Sequence, residues 1–310
     1  MPKVEQDQQS VADRPPAAHR PRPPAPVPDA FASETGYLLR RSYVYADAWA
    51  TAAMPDGVPV RHYEVLQALS DLGPRSQQQL AELLWVNRTI MVKLIDALEH
   101  EGLVERRRNP SDRRAYALEL TPAGRDVLVE LSAAAERADA GLAAPLGQRE
   151  RARLLELLLA IAAPDGAPEL PAGLARHVGF LVGLAHFRMR EQVTEHLQTL
   201  GLTTAQYGTL GTIAALAPIS QQAVAEQLRL TGPAILQTVD RLEAGELVER
   251  RRDAADRRSY ALEPTARGRA ALAQARTAIA EVTAQLESAI GGKSQRLELN
   301  RLLRKLLENR

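Results

Sequence analysis

The strongest constraint on the fold of this chain is an internal duplication. Residues 76–128 align with residues 220–272 at a constant offset of 144 and without a gap, and roughly half of the aligned residues are identical. The densest match pairs 103–108 with 247–252, which read Leu-Val-Glu-Arg-Arg-Arg in both copies. Repetition at a fixed period indicates that one structural unit is built twice. We therefore expect two similar domains.

The length and the composition agree with two domains. The chain of 310 residues is long enough for two units of ordinary size, and its 45% hydrophobic residues suffice for two cores. Residues 1–30 are rich in proline and predict a disordered tail, because such a segment buries too little apolar surface to offset its ordering entropy. A linker punctuated by proline and glycine, 164–171, separates a first domain, 31–163, from a second, 172–310.

The composition also favours helices and excludes several kinds of site. Aromatic residues make up only 4%, so Leu, Ala, Val and Ile must fill the cores. Cysteine is absent, which excludes disulfides, thiolate metal sites and thiol-based redox switches. No apolar run approaches the roughly 20 residues of a membrane span, and the polar start lacks the pattern of a signal peptide. A cytoplasmic protein is the simplest expectation.

Each repeat begins with the pattern of a helix-turn-helix. In the first copy, Ser76 and Gln79 have the spacing of a capping box at the start of a helix. Asn87 is a good N-cap for a second helix, and Gly102 is suited to its C-terminal end. The predicted buried stripe of this second helix consists of Met91, Leu94, Ile95 and Leu98. Such a second helix can enter the major groove of DNA.

A hairpin that carries arginines follows the second helix. Residues 103–108 and 115–120 alternate weakly in hydrophobicity and flank the turn-rich sequence Asn-Pro-Ser-Asp, which predicts two short strands. Thr121 and Pro122 then begin a long helix. A helix-turn-helix followed by such a hairpin predicts a winged helix. The fold class is therefore expected to be mainly α with small β wings.

The positions of the basic residues predict a DNA interface. Arg88 and Lys93 would face the major groove if the apolar stripe is buried, and Arg88 could pair with guanine there. Arginines near a hairpin tip suit the narrow, electronegative minor groove. The residues predicted to contact DNA are Arg88, Thr89, Val92, Lys93, Arg107, Arg113, Arg114, Gln237, Arg241, Arg257 and Arg258. The alternative is a winged helix that binds proteins and carries a solvated basic surface.

These motifs resemble the MarR family of bacterial regulators. The resemblance covers nearly everything except the N-terminal tail. In the first copy it rests on Asn87-Arg88-Thr89, on Gly102-Leu103-Val104-Glu105-Arg106 and on Asp112-Arg113-Arg114 followed by Leu120-Thr121-Pro122-Ala123-Gly124. It implies terminal helices that pair two copies, here as an intramolecular pseudo-dimer of two winged helix-turn-helix domains. It also implies a small-molecule-responsive repressor of duplex DNA. Further pairing between two chains stays open.

The two copies keep the wing and differ in the second helix of the helix-turn-helix. Arg88 is aligned with Gly232, whereas both wings keep Asp-Arg-Arg. We therefore expect a non-palindromic operator with its stricter half under the first copy, and half-sites about 10 base pairs apart. Trp85 and Arg229 occupy the turn position where the family often has glycine.

The resemblance further implies an effector in the cleft between the pairing helices and the winged domain. Arginine beside aromatic rings suits a small aromatic acid or a similar anion. The residues expected to line this cleft are Arg40, Tyr43, Trp49, His62, Tyr63, His186, Arg190 and Tyr207. The alternative for each of them is a core or interface residue with a hydrated polar tip. A DNA-binding architectural protein without an effector and a protein-binding antagonist stay open as functions.

The sequence shows no pattern of a catalytic or metal site. It contains no Gly-rich phosphate loop, no nucleophile elbow and no His-Glu-x-x-His motif. His177, His186 and His196 lack the spacing of a helical metal site. We therefore expect neither an enzyme nor a cofactor.

Overall fold

Two copies of one helical unit make up the computed structural model, which describes residues 21–55, 57–108, 116–164, 166–252 and 260–308. A short 3-10 helix, Asp29–Phe31, precedes the first copy. The elements of the first copy are α1 (Thr35–Ala53), α2 (Val60–Leu72), α3 (Gln77–Leu83), α4 (Arg88–His100), β1 (Val104–Arg108), β2 (Tyr116–Leu120), α5 (Pro122–Ala143) and α6 (Gln148–Ala162). Those of the second copy are α7 (Ala172–Ala175), α8 (Val178–Gln198), α9 (Thr204–Leu216), β3 (Ile219–Ser220), α10 (Gln221–Leu228), α11 (Gly232–Ala244), β4 (Val248–Arg252), β5 (Tyr260–Pro264), α12 (Ala266–Ile290) and α13 (Lys293–Leu307).

The offset between the copies extends well beyond the repeat that is visible in the sequence. Helix α2, Val60–Leu72, is matched residue for residue by α9, Thr204–Leu216. Helices α5 and α12 begin at Pro122 and Ala266, which are also 144 residues apart. Residues up to the start of α5 can therefore be compared one by one with their counterparts in the second copy, whereas α6 and α13 begin 145 residues apart.

Side-chain caps begin the helices of the helix-turn-helix, as the sequence predicts. Ser76 and Gln79 form a reciprocal capping box at α3. The Asn87 side chain accepts a hydrogen bond of 2.8 Å from the backbone N–H of Ile90 at the start of α4. These local bonds satisfy backbone donors that a helix N-terminus leaves free, so they fix where each helix begins.

Helix α4 buries a narrower apolar stripe than the sequence predicts. Met91, Ile95 and Leu98 are buried, but Leu94 is only half-buried. With 3.6 residues per turn, Leu94 falls at the edge of the face that the other three define. Its counterpart in the second copy is Thr238, whose hydroxyl donates to the carbonyl of its own helix at Ala234. A threonine is therefore tolerated at this border position.

The wings are antiparallel hairpins. Val104 of β1 pairs with Leu120 of β2, and β4 pairs with β5 in the same register, with β3 as a third strand. Strand β1 changes from buried at Val104 to exposed at its last three arginines, so its end projects from the domain. The turns at 109–115 and 253–259 lie outside the described residues, and with them the predicted DNA contacts Arg113, Arg114, Arg257 and Arg258.

A glycine is required where each wing joins the following helix. A Cβ atom on Gly124 would lie 2.1 Å from the carbonyl oxygen of Leu103, and one on Gly268 would lie 1.9 Å from that of Leu247. The hydroxyl of Thr121 accepts a hydrogen bond of 3.0 Å from the backbone N–H of Gly124. This close approach gives the Thr-x-x-Gly spacing of both copies its physical reason.

The pairing helices of the two copies share one hydrophobic core, which confirms the predicted intramolecular pseudo-dimer. Helix α1 packs on α8, and α6 and α13 each cross to the other copy. Buried residues of this core include Leu39, Leu158, Val182 and Leu303. At the rim, Glu150 of α6 accepts hydrogen bonds from α13. The winged domains have separate cores on either side of this shared one.

Residues near the start of the first copy contact the pairing helix α1. Phe31 is buried and stacks on Tyr37, with ring centroids 4.4 Å apart. The buried guanidinium of Arg41 donates hydrogen bonds to two backbone carbonyls of the N-terminal segment. The predicted disordered tail, 1–30, stays a prediction. The first twenty residues lie outside the described part, and the domain boundaries stay a prediction.

Candidate nucleic-acid interface and ligand cavity

The exposed face of α4 carries the residues predicted to read DNA. Arg88, Thr89, Val92 and Lys93 are all exposed. Neither Arg88 nor Lys93 forms an ion pair with the described residues, so both charges are available to a ligand. Ile90 and Val92 leave 48% and 39% of their surfaces exposed. Apolar side chains in a major groove can contact thymine methyl groups. The exposure of these two apolar residues is therefore compatible with the predicted DNA contact.

Helix α11 presents a different surface at the same position. Gln237 and Arg241 are exposed, as predicted for DNA contacts. Gly232 offers no side chain in place of Arg88, and a Cβ atom added there would meet nothing within 4 Å. Leu236 is 47% exposed and preserves the apolar patch. The copies therefore share an apolar contact surface and differ in the leading cation.

One arginine of each wing ties the hairpin to the second helix of the helix-turn-helix. The guanidinium of Arg106 lies 3.0 Å from the carboxylate of Asp96 and 3.1 Å from that of Glu99, both on α4. Its counterpart Arg250 repeats these ion pairs with α11 at 2.7 and 3.0 Å. The pairs fix the angle between wing and helix. The sequence analysis placed Arg106 in the hairpin without recognising this positioning role.

Arg107, predicted to contact DNA, is held by carboxylates of its own hairpin. Its guanidinium lies 2.6 Å from Glu105 and 3.5 Å from Glu119. The next residue, Arg108, is exposed and forms no ion pair with the described residues. Because its charge is not compensated within the described wing, Arg108 is the better placed of the two for a phosphate.

Both helix-turn-helix turns hold a large residue in the left-handed backbone region. The φ angle is 53° at Trp85 and 47° at Arg229, a conformation that costs roughly 1–2 kcal/mol without glycine. The indole of Trp85 lies under the guanidinium of Arg188 from the other copy, 5.7 Å from its ring centroid. Arg229 reaches the backbone carbonyl of Arg22 in the N-terminal segment. At each of the two strained positions, the side chain therefore makes a contact that a glycine could not make.

A cavity of about 320 Å³ lies where the pairing helices meet the first winged domain. Its walls come from α1, α2 and α5 of the first copy and from α7 and α8 of the second. Its aromatic lining consists of Tyr43, Tyr63, Phe180 and Phe187. Tyr43 and Phe187 meet edge to face, with ring centroids 4.9 Å apart. The cavity is therefore built jointly by both copies.

The charged groups of the cavity are mostly compensated. Arg61 contacts Glu64 at 2.5 Å, and the buried carboxylate of Asp139 lies 2.7 Å from Arg151 outside the cavity. Asp47 forms no hydrogen bond or ion pair with the described residues, and desolvation raises the pKa of its carboxyl. Arg61 also acts electrostatically on Asp47, so Asp47 and Glu64 share one guanidinium and these three groups leave an excess of negative charge.

Tyr63 adds an unused hydrogen-bonding group. Its side chain is only 3% exposed, and its hydroxyl has no hydrogen-bond partner in the described part of the chain. Burial raises the pKa of Tyr63 to about 12, so the hydroxyl stays protonated at neutral pH and can donate. A buried polar group without a partner costs about 1–3 kcal/mol. An acceptor that enters the cavity would recover part of this cost.

Of the residues predicted to bind an effector, the structure places Tyr43 and Tyr63 at this cavity. Trp49 and His62 are buried among core residues, and Tyr207 is half-buried against the second winged domain. The sequence analysis missed the charged lining residues Asp47, Arg61, Glu64 and Asp139. One signal was present, because Asp47 follows Tyr43 by one helical turn and so shares its face.

Arg40, His186 and Arg190 lie together on the second-copy side of the shared core. The guanidinium of Arg40 donates a hydrogen bond of 2.5 Å to the carbonyl oxygen of Leu228 at the end of α10. The equivalent carbonyl in the first copy, that of Leu84, accepts from α2 instead. The two copies thus place different cations at equivalent positions.

Metal-binding clusters and membrane-spanning helices are both absent from the described residues. Within the described ranges, no group of three or more His, Cys, Asp or Glu side chains is arranged to hold a metal ion. None of the described helices combines the length and the apolar character that a membrane crossing needs.

Comparison with known proteins assigns both copies to one family. The sequence model described as the MarR family matches residues 59–116, and a second model of the same description matches residues 200–259. A protein of Thauera aromatica, described as a candidate transcriptional regulatory protein for the hcr operon, is 34% identical over 150 residues. This match covers 48% of the present chain and 89% of the relative. One copy thus corresponds to nearly a whole relative.

Two solved structures are similar to part of this chain. The apo form of wild-type MarR from E. coli is 24% identical and is matched over 36% of this chain and 82% of its own, with a TM-score of 0.35. A transcriptional repressor, CouR, solved with a 23-mer DNA duplex, is 30% identical over 38% of this chain and 84% of its own, also with a TM-score of 0.35. From the family matches in each half and the duplicated winged helix, we conclude that the chain belongs to the MarR family and carries the family's domain twice.

Proposed function

We propose that this protein is a sequence-specific transcription regulator, a repressor that binds duplex DNA as a pseudo-dimer within one chain and responds to a small molecule. The proposal depends on one observation: α4 and α11 are exposed helices of two winged domains, and the pairing helices of these two copies share one core. Membership of a family of regulators and the description of the relative from Thauera aromatica support the same function.

In the proposed complex, α4 and α11 lie in successive major grooves and the wings reach the flanking minor grooves. Arg88, Thr89, Val92 and Lys93 would contact the DNA from α4, and Gln237 and Arg241 from α11. Contacts to phosphates position the protein, whereas contacts to base edges in the groove carry sequence preference. Arg107, with the wing-tip arginines Arg113, Arg114, Arg257 and Arg258, would bind phosphates or the minor groove.

The proposed operator has two unequal half-sites. Arg88 can form a bidentate contact to guanine, whereas Gly232 at the same position of α11 offers no side chain. The half-site under the first copy is therefore the stricter one. A footprint with two equivalent, symmetric half-sites would contradict this part of the proposal.

The cavity supports the proposed response to a small molecule. It touches α2, which belongs to the first winged domain, and α1 and α8, which belong to the pairing core. A ligand there would contact the first winged domain and the pairing core at once. It could therefore favour one angle between α4 and α11 over another. Release from DNA follows if that angle no longer fits successive grooves.

Fluorescence anisotropy with labelled duplexes from the chain's own upstream region tests the proposed DNA binding. Affinity should fall steeply as salt rises, because phosphate contacts release counterions. The double variant Arg88→Ala with Lys93→Ala should weaken binding, whereas Glu191→Gln, an exposed residue of α8 outside both α4 and α11, should not. Affinity that is absent or insensitive to salt would refute DNA regulation and favour a protein-binding antagonist. DNA binding that no small molecule alters would favour an architectural protein.

A further inference from the structure

We propose that the cavity of the first copy binds one flat aromatic cation per chain, with the cationic group beside Asp47 and the ring among Tyr43, Phe180 and Phe187. The inference rests on the proposed ligand-responsive function and names the chemical class of its ligand. It differs from the anion expected from the sequence, since that expectation depended on Arg40 and Arg190, which the structure places elsewhere.

The shape and lining of the cavity suit an aromatic ligand. Its volume of about 320 Å³ lies at the lower end of the range for small-molecule sites. Tyr43 is held in place, because it stacks on His186 at 5.2 Å and meets Phe187 edge to face at 4.9 Å. The faces of such rings attract cations. The guanidinium of Arg61 lies 5.9 Å from the ring centroid of Phe187, so this aromatic wall already accommodates a flat cationic group.

The distribution of charge selects a cation over an anion. Arg61 already contacts Glu64, and Asp139 already contacts an arginine outside the cavity. What is left is Asp47, a carboxylate at the rim without an ion pair among the described residues. An incoming ammonium or ring cation would supply this missing partner. An incoming carboxylate would instead face Asp47 and Glu64, which already share the guanidinium of Arg61.

The equivalent region of the second copy opposes such a ligand, which gives one site per chain. Arg40 donates to the carbonyl of Leu228 as Arg61 does to that of Leu84 in the cavity, but Arg40 forms no ion pair with the described residues, whereas Arg61 is paired with Glu64. Within the described chain, Arg41, Arg190 and Arg229 form no ion pairs with carboxylates. The N-terminal segment also covers this side, because its backbone carbonyls accept hydrogen bonds from Arg41 and Arg229. A cation would meet positive charge and packed backbone there.

Isothermal titration calorimetry on the full chain without DNA tests the inference. The probes share one ring system and differ in charge: 1-naphthylmethylammonium, 1-naphthalenemethanol and 1-naphthoate. We expect one site per chain and an affinity for the ammonium at least about tenfold above that for the naphthoate, the equivalent of about 1.4 kcal/mol. Asp47→Asn should remove the advantage of the ammonium over the alcohol. Glu191→Gln, at the counterpart position in the second copy, should leave it unchanged.

Several results would overturn the inference. These are naphthoate binding as tightly as the ammonium, two equal sites per chain, an Asp47→Asn variant that keeps the preference, or no binding by any probe. Because Asp47 is exposed, its substitution should leave the thermal unfolding midpoint unchanged, which shows that the variant is folded. A second variant, Tyr63→Phe, should weaken the alcohol probe and leave the fold intact. DNA affinity without probe selectivity refutes the cavity inference alone, whereas selective probe binding without DNA affinity refutes the proposed function alone.

Discussion

Moving the leading arginine between the two DNA-facing helices would test the unequal operator directly. Arg88→Ala removes an exposed side chain without an ion pair among the described residues, so the stability of the fold should change by less than about 0.5 kcal/mol. Gly232→Arg adds a side chain where a Cβ atom meets nothing within 4 Å, so it can be accommodated. The two variants therefore change the exposed surfaces of α4 and α11 and leave the fold beneath them unchanged.

The expected effect follows from the contact that Arg88 can make. A bidentate pair between arginine and guanine contributes about 1–3 kcal/mol of discrimination, which corresponds to about 5- to 150-fold in affinity. Arg88→Ala should lose this amount on the wild-type operator and much less on a duplex whose first half-site is scrambled. Gly232→Arg should gain a similar amount on a duplex in which the second half-site copies the first.

Fluorescence anisotropy at one fixed salt concentration measures these affinities, because protein–DNA binding constants depend strongly on salt. Circular dichroism of each variant controls for folding. Equal losses from Arg88→Ala on the wild-type and the scrambled duplex would show that Arg88 binds phosphate and does not read a base. A Gly232→Arg protein that fails to prefer the symmetrised duplex would show that the two helices do not dock equivalently.

Three further predictions concern the scaffold. Gly124→Ala should destabilise the first winged domain by about 1–3 kcal/mol, since the new Cβ would overlap the Leu103 carbonyl; an unchanged urea midpoint would contradict this. Arg106→Met should cost less than about 1 kcal/mol of stability because its ion pairs are partly exposed, yet it should weaken DNA binding by freeing the wing, which the anisotropy assay would detect. Hydrogen bonds from Arg301 and Lys305 lower the pKa of Glu150 to about 2. Its contribution to stability is therefore present above its ordinary pKa of 4.5 and is lost as the pH falls toward 2. When the unfolding midpoint is measured against pH, Glu150→Gln should reduce the loss of stability between pH 4.5 and pH 2.

The features that sequence analysis predicted well are local. The helix start at Asn87 depends on a side chain that bonds a backbone N–H three residues away, so the residue type and its position suffice. The same is true of the glycine at Gly124, where spacing from the wing sets the backbone approach. The duplication then carries each local prediction into the second copy, which explains why the fold class and the pairing were predicted together.

The cavity could be predicted only in part, because its residues come from distant segments. Tyr43 and Arg40 lie on the same helix and both suit a ligand site, but Tyr43 lines the cavity beside the first winged domain, whereas Arg40 bonds Leu228 of the second winged domain. Which face borders an open space depends on the crossing of α1 with α8, and no local pattern encodes that crossing. The hydrogen bonds from Arg41 to the backbone of residues 25 and 26 likewise depend on a pairing helix and are not encoded in the composition of that segment.

The shared core of the pairing helices has a consequence for how the protein responds to its own abundance. Two separate subunits must first find each other, so the concentration of a paired form rises with the square of the subunit concentration when pairing is weak. Here α1 and α8 belong to one chain, and the local concentration of one copy around the other is unaffected by dilution. Occupancy of an operator should therefore follow a simple hyperbola down to the lowest expression levels. A cell that makes only a few such chains still has a few complete DNA-binding units.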